Sequence, residues 1–79
     1  MEEVVRIQFE LPAARVKELE ALMKEIGVST RKDLFNNALT LLEWAVKEKR
    51  VGNSIASVDE KNKRYKELVM PVLSTVTAK

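Results

Sequence analysis

Three hydrogen-bonding side chains occupy alternate positions near the N-terminus, namely Arg6, Gln8 and Glu10. Arginine donates through a planar fork, glutamine both donates and accepts, and a carboxylate only accepts. Residues two apart in a β-strand point to the same face, so a strand here would present the three groups in one row. Such a row could recognise a planar partner through paired hydrogen bonds, or it could be the solvated face of an exposed strand.

A second cluster combines hydroxyl and cationic side chains at Ser29, Thr30, Arg31 and Lys32. Ser29 stands where a helix is expected to begin, and serine is a favoured N-cap. The first backbone N–H groups of a helix and the positive end of its dipole attract anions. The cluster therefore predicts an anion-binding site, the alternative being an ordinary serine cap followed by solvated charges.

The composition excludes most catalytic and metal chemistry. The chain has 79 residues, no Cys and no His, which removes disulfide frameworks, most zinc sites and Ser-His nucleophiles. We therefore predict no enzyme, no metal site and no cofactor. The net charge of +2 permits a nucleic-acid partner without requiring one. Because the N-terminus lacks a secretory pattern and no run of about eighteen apolar residues occurs, we expect a cytoplasmic protein with no membrane contact.

Hydrophobic periodicity places the two clusters on one strand and two helices. Residues 5–11 alternate apolar and polar side chains, which is the pattern of a half-buried strand. Pro12 suits the first turn of a helix, and helical spacing continues over residues 12–26. Gly27 is the residue type preferred at a helix C-terminus. A second and longer helix is predicted over residues 30–50.

The second predicted helix carries an apolar surface that one neighbouring helix cannot cover. On a helical wheel its apolar positions fall in two adjacent stripes that span more than half of the circumference. They are Leu34, Ala38, Leu41 and Ala45 in one stripe and Phe35, Leu39, Leu42 and Val46 in the other, with Trp44 just beyond the first. Exposed apolar surface of this extent marks an interaction site, and its simplest cover is a second copy of the chain.

Residues 51–79 differ in character from the rest. Two short strands joined by the polar turn Glu60-Lys61-Asn62-Lys63 would form a β-hairpin with a loop of about four residues; the alternative is a flexible tail. The densest basic patch of the chain lies here, at Lys61, Lys63, Arg64 and Lys66. Residues 68–73 are more apolar than a solvated tail requires and could bind a partner protein.

The order of strand, short turn, helix, Gly-x-Ser connection and longer helix resembles the ribbon-helix-helix family of DNA-binding repressors, which includes the Arc and Met repressors. The resemblance covers roughly residues 4–50. It is carried by Arg6-Ile7-Gln8-Phe9-Glu10-Leu11-Pro12, by Gly27-Val28-Ser29, and by Leu34 and Ala38. It implies that the strands of two subunits pair as an antiparallel ribbon that enters the major groove of DNA.

The resemblance assigns roles to the residues above. Arg6 and Gln8 would contact base edges, since arginine suits guanine and glutamine suits adenine, while Glu10 could accept from cytosine or discourage wrong bases. The DNA backbone would be bound by Ser29, Thr30, Arg31 and Lys32. The dimer core would comprise Ile7, Phe9, Leu34, Phe35, Ala38, Leu41, Leu42 and Ala45.

The sequence thus predicts an α+β, mainly helical fold. Residues 1–50 would form a ribbon-helix-helix (β-α-α) homodimer with an intermolecular two-stranded ribbon, and residues 51–79 a C-terminal extension that is a β-hairpin or a flexible tail. The predicted function is a sequence-specific transcriptional repressor on double-stranded DNA, whose dimers could stack along it. The alternative is an antitoxin or other protein-interaction module whose residues 51–79 bind a partner protein.

Overall fold

The computed structural model describes residues 2–76. Their element order is α1 (Ala13–Ile26), α2 (Arg31–Arg50), β1 (Ala56–Asp59), β2 (Arg64–Glu67) and α3 (Pro71–Ser74). About half of the chain is helical, and β1 and β2 form a two-stranded antiparallel sheet, so the α+β class is confirmed. The chain divides into two compact units, one ending at Leu34 and the other beginning at Phe35.

Pro12 sets the start of α1. It is the N-cap of the helix, and its carbonyl oxygen accepts from the backbone N–H groups of Arg15 at 2.9 Å and Val16 at 3.1 Å. Proline has no N–H to donate, so its place before the first turn leaves no backbone donor unsatisfied there. The helix predicted over residues 12–26 is confirmed, with Pro12 as its cap.

Gly27 ends α1 in the left-handed conformation, with φ 77°. Its N–H donates to the carbonyl oxygen of Lys24 at 3.3 Å, and the N–H of Val28 donates to that of Met23 at 3.0 Å. These two bonds form a Schellman motif, which satisfies carbonyl groups that the helix end leaves open. α2 ends with the same type of motif at Gly52, with φ 85°.

Thr30, and not the predicted Ser29, caps the start of α2. The backbone N–H of Asp33 donates to Thr30 Oγ1 at 3.1 Å, and the N–H of Leu34 donates to the Thr30 carbonyl oxygen at 3.2 Å. Threonine and aspartate three residues apart have capping-box spacing, whereas Ser29 lies one position too early to reach the same N–H. The predicted cap was therefore wrong by one residue.

The predicted C-terminal hairpin is confirmed. β1 and β2 pair in register from Ala56 opposite Glu67 to Asp59 opposite Arg64, which leaves residues 60–63 as a four-residue loop. β2 ends at Glu67. The residues beyond it lead to α3, whose first position is proline, a residue suited to opening a helix.

Residues 2–12 have no regular secondary structure in the single chain. The strand predicted over residues 5–11 is not formed, because a strand needs a neighbour to complete its hydrogen bonds and the sheet of the described chain consists of β1 and β2. The β-α-α order stays a prediction that requires a second chain.

Burial is slight within residues 2–76. The buried side chains are Ala45 on α2 and Leu73 on α3, which are 4% and 3% exposed. Hydrophobic residues make up 46% of the sequence, so much of the apolar surface of the described chain faces solvent. No helix formed by these residues combines the length and apolar content needed to cross a bilayer.

Candidate nucleic-acid interface

The three residues predicted to contact bases lie in the irregular N-terminal segment. Arg6, Gln8 and Glu10 are exposed, and their side chains form no hydrogen bond or ion pair with other residues of the described chain. The donors of Arg6 and the amide of Gln8 are therefore available to a ligand. Nothing in the single chain fixes the three groups in a row, because that alignment depends on strand geometry.

The apolar residues that alternate with this polar row are exposed as well. Ile7 is 72% and Phe9 65% exposed, and Val4 and Val5 also face solvent. Fully burying a large apolar side chain is worth about 1.5–3 kcal/mol. The N-terminal segment thus exposes apolar side chains whose burial would favour association, and hydrogen-bonding groups alternate with them along the chain.

The predicted phosphate-binding residues lie together at the start of α2. Arg31 and Lys32 are its first two residues and are exposed. The hydroxyl oxygen of Thr30 accepts a hydrogen bond from the backbone N–H of Asp33. The N–H groups of Arg31 and Lys32 precede the capped N–H of Asp33 and have no acceptor within the helix, so they can bind an anion beside the two cations. Asp33 opposes this, since it places a carboxylate in the same turn.

An open groove of about 270 Å³ runs along α1 in the first unit. Leu11, Leu19, Leu22 and Leu34 supply its apolar lining, with Arg15 and Glu18 beside them. The guanidinium of Arg15 donates to the carboxylate of Glu18 at 3.0 Å, and both side chains are largely exposed. An exposed pair of this kind contributes little stability. The leucines leave an apolar trough that the described chain does not fill.

A second open groove, of about 410 Å³, follows one face of α2. Its lining consists of Asn36, Asn37, Thr40, Leu41 and Trp44. The sequence placed Leu41 and Trp44 on one apolar surface, and the structure adds three polar residues, Asn36, Asn37 and Thr40, to the same groove. The spacing of Asn37, Leu41 and Trp44 by four and then three residues is the signal that could have grouped them.

The predicted dimer core is almost unformed in the single chain. Among its eight residues only Ala45 is buried, and Leu34 is half-buried. The others are exposed to differing degrees, and Leu41 is 64% exposed. Most of these residues therefore lie on the surface of the described chain.

The hairpin places a polar turn at its tip. Both oxygens of Asp59 accept from Asn62, one from its backbone N–H at 3.2 Å and one from its side-chain amide at 2.9 Å. These hydrogen bonds stabilise the carboxylate and hold the pKa of Asp59 below its ordinary value of 3.8. Lys63 closes the turn with φ 57°, a left-handed conformation that lysine seldom adopts.

Comparison with known proteins gives no relative. No family model, no curated protein and no solved structure matches the chain.

Proposed function

We propose that the chain is a ribbon-helix-helix homodimer that binds a specific DNA site and represses transcription by occupying it. The observation that supports this best is the exposed apolar row in the single chain, with Ile7 and Phe9 mostly in contact with solvent. A second copy that presents the same row would bury both copies. Antiparallel pairing of the two N-terminal segments would also supply the backbone partners that a ribbon needs.

Base recognition follows from that pairing. Once Ile7 and Phe9 turn toward the dimer core, strand alternation turns Arg6, Gln8 and Glu10 outward. In the major groove Arg6 would donate to both acceptors of guanine and Gln8 would pair with adenine, each worth roughly 1–3 kcal/mol of discrimination. A twofold dimer presents two copies of this row, so its site should contain two related half-sites.

Backbone binding is proposed for the start of α2. Arg31 and Lys32 are exposed beside the free N–H groups of the first turn, and such a helix start suits a phosphate. Contacts of this kind fix the position of the protein on the duplex and carry no sequence information. Lys32→Ala should therefore weaken binding to all duplexes alike and flatten the dependence on salt by about one unit of slope for each chain of the dimer.

The test is titration of labelled random-sequence duplexes with the full chain, followed by anisotropy at several salt concentrations. The wild type should bind with a sequence preference, and the double variant Arg6→Ala/Gln8→Ala should lose that preference. Because both side chains are exposed, the free energy of unfolding of the double variant should stay within about 0.5 kcal/mol of the wild-type value. Lys17→Ala, which removes one exposed cation from α1, is the matched control.

The outcomes separate the candidates. A double variant that keeps the wild-type sequence preference excludes Arg6 and Gln8 as base-contacting residues. A folded wild type that binds no duplex at low salt excludes the repressor function altogether.

A second candidate function, a protein-interaction module such as an antitoxin, is supported by the apolar stretch over residues 68–72. Val69 is 86% exposed, and Leu68, Met70 and Val72 are exposed beside it. Removal of the whole tail would also remove the buried Leu73, so the substitution Val69→Lys is the cleaner test. This candidate replaces the first if duplex binding is absent and a partner protein binds the wild type but not Val69→Lys.

A further inference from the structure

Four cations are concentrated at the tip of the C-terminal hairpin, outside the residues that the proposed function uses. They are Lys61, Lys63, Arg64 and Lys66, and we refer to them as the hairpin cation cluster. All four are exposed, and none forms an ion pair within residues 2–76. Exposed cations that lack a carboxylate partner are available to an external anion.

The register of the hairpin places two of these cations on one face. Arg64 lies opposite Asp59, and Lys66 lies opposite Ser57. Side chains alternate between the faces of a sheet, so Arg64, Lys66 and the hydroxyl of Ser57 share a face. Three hydrogen-bond donors are thereby aligned along one side of a short ribbon.

One carboxylate shares that face, because Asp59 lies opposite Arg64. Asp59 directs both oxygens to Asn62 and makes no ion pair with Arg64. Glu67 pairs with Ala56 in the register and so belongs to the opposite face. The face therefore carries two cations, one hydroxyl and one carboxylate, and keeps a net positive charge.

The backbone at Lys63 provides an independent observation. Its φ of 57° lies in the left-handed region, which costs an ordinary residue roughly 1–2 kcal/mol and costs glycine almost nothing. Asparagine and glycine are the residues usually found at such turn positions. Strain at a single residue is a feature of functional sites, and here the strained residue contributes one of the four cations.

We propose that the hairpin cation cluster binds backbone phosphates of the DNA duplex and so forms a second, sequence-independent contact beyond the ribbon and the start of α2. The proposal rests on the proposed function for the identity of the duplex as ligand. Phosphate oxygens are bound mainly by lysine, arginine and hydroxyl side chains, which is the composition of this face. Lysine is depleted at protein–protein interfaces, and three of the four cations are lysines, which favours DNA over an acidic protein.

The decisive variant is Lys63→Gly in the full chain, because it removes a cation and relieves the left-handed strain together. Its thermal midpoint should equal or exceed that of the wild type, so weakened binding cannot be attributed to misfolding. The substitution removes one phosphate contact from each chain of the dimer, so with mixed-sequence duplexes of about 20 base pairs it should reduce the salt slope by about 1.8 and weaken binding roughly sixtyfold at 0.1 M salt. The loss should be equal for all sequences. Lys63→Arg should retain wild-type binding, and Lys17→Ala should do the same.

Three results would overturn the proposal. One is a wild-type salt slope in Lys63→Gly. Another is an equal loss in Lys17→Ala, which would indicate an effect of net charge alone. The third is unchanged duplex binding together with weaker binding of Lys63→Gly to polyglutamate, which would assign the cluster to an acidic protein.

The proposed function is tested by a different measurement, the sequence preference of duplex binding. If the duplexes bind without sequence preference but Lys63→Gly lowers the slope, the repressor function is wrong and the hairpin contact stands. If the sequence preference depends on Arg6 and Gln8 while Lys63→Gly has no effect on the salt slope, the hairpin contact is wrong and the repressor function stands. Absence of any duplex binding at low salt rejects both.

Discussion

If a second copy of the chain completes the core, as proposed, dilution should lower the thermal stability of this protein. Unfolding entropy of about 2.1 cal/mol/K per residue amounts to roughly 0.33 kcal/mol/K for two chains of 79 residues. Each tenfold dilution of a dimer removes about 1.4 kcal/mol of stability. The thermal midpoint should therefore fall by about 4–5 °C for every tenfold dilution.

The assay is circular dichroism at 222 nm through thermal unfolding, at three chain concentrations that cover a hundredfold range. Analytical ultracentrifugation at the same concentrations gives the mass. A midpoint that stays constant over the full range, with a sedimenting mass of one chain, would refute the reasoning that the exposed apolar residues are an interface.

A substitution on α2 supplies a second measure of the same interface. Leu41 is 64% exposed in the single chain, so Leu41→Ala should change the stability of a monomer by no more than about 0.5 kcal/mol. In the core of a dimer the same change should cost about 2–5 kcal/mol per site. Val69→Ala, at a residue outside the predicted dimer core, is the matched control and should have little effect in either case.

Three further predictions concern the helix ends and the hairpin turn. Gly27→Ala meets no neighbouring atom within 4 Å but must adopt φ 77°, so it should destabilise by about 1–2 kcal/mol in urea unfolding; a neutral result would show that the end of α1 is not left-handed. Thr30→Ala should lower the free energy of unfolding by about 1 kcal/mol, and Ser29→Ala should leave it almost unchanged. The opposite order would identify Ser29 as the cap. The pKa of Asp59 is lowered by its hydrogen bonds from Asn62. The stability that these bonds contribute is therefore fully present above the unfolded-state pKa of Asp59. It is lost as the pH falls through the folded-state pKa, which lies below 3.8. Asn62→Ala should return that pKa toward 3.8 in a carbon NMR titration of the carboxyl group, and an unchanged titration would contradict the assigned cause.

Local chemistry explains why the helices could be predicted from the sequence. Pro12 and Gly27 act within one turn of their own positions, through a missing N–H and a permitted positive φ. The hairpin was predictable for the same reason, since its strands are separated by only four residues. The cap of α2 was misplaced because Ser29 and Thr30 are both good caps. The choice between them depends on which hydroxyl reaches the N–H of Asp33.

The conformation of the N-terminal segment could not be predicted from the sequence alone. Alternation over residues 5–11 indicates which side chains would share a face, but a strand exists only when another backbone completes its hydrogen bonds. Whether Arg6, Gln8 and Glu10 form a row is therefore a property of an assembly. The sequence identifies these three side chains, and their alignment in a row depends on the proposed pairing of two chains.

The sequence by itself determined the two long helices, their glycine ends, the hairpin and the absence of Cys and His chemistry, because each depends on residue type or on neighbours close along the chain. The tertiary structure decided that Arg64 and Lys66 share a face with Ser57, that Lys63 is held at a positive φ, and that burial reaches only Ala45 and Leu73 within residues 2–76. Register, backbone strain and burial arise from contacts between segments. Periodicity alone does not specify those contacts.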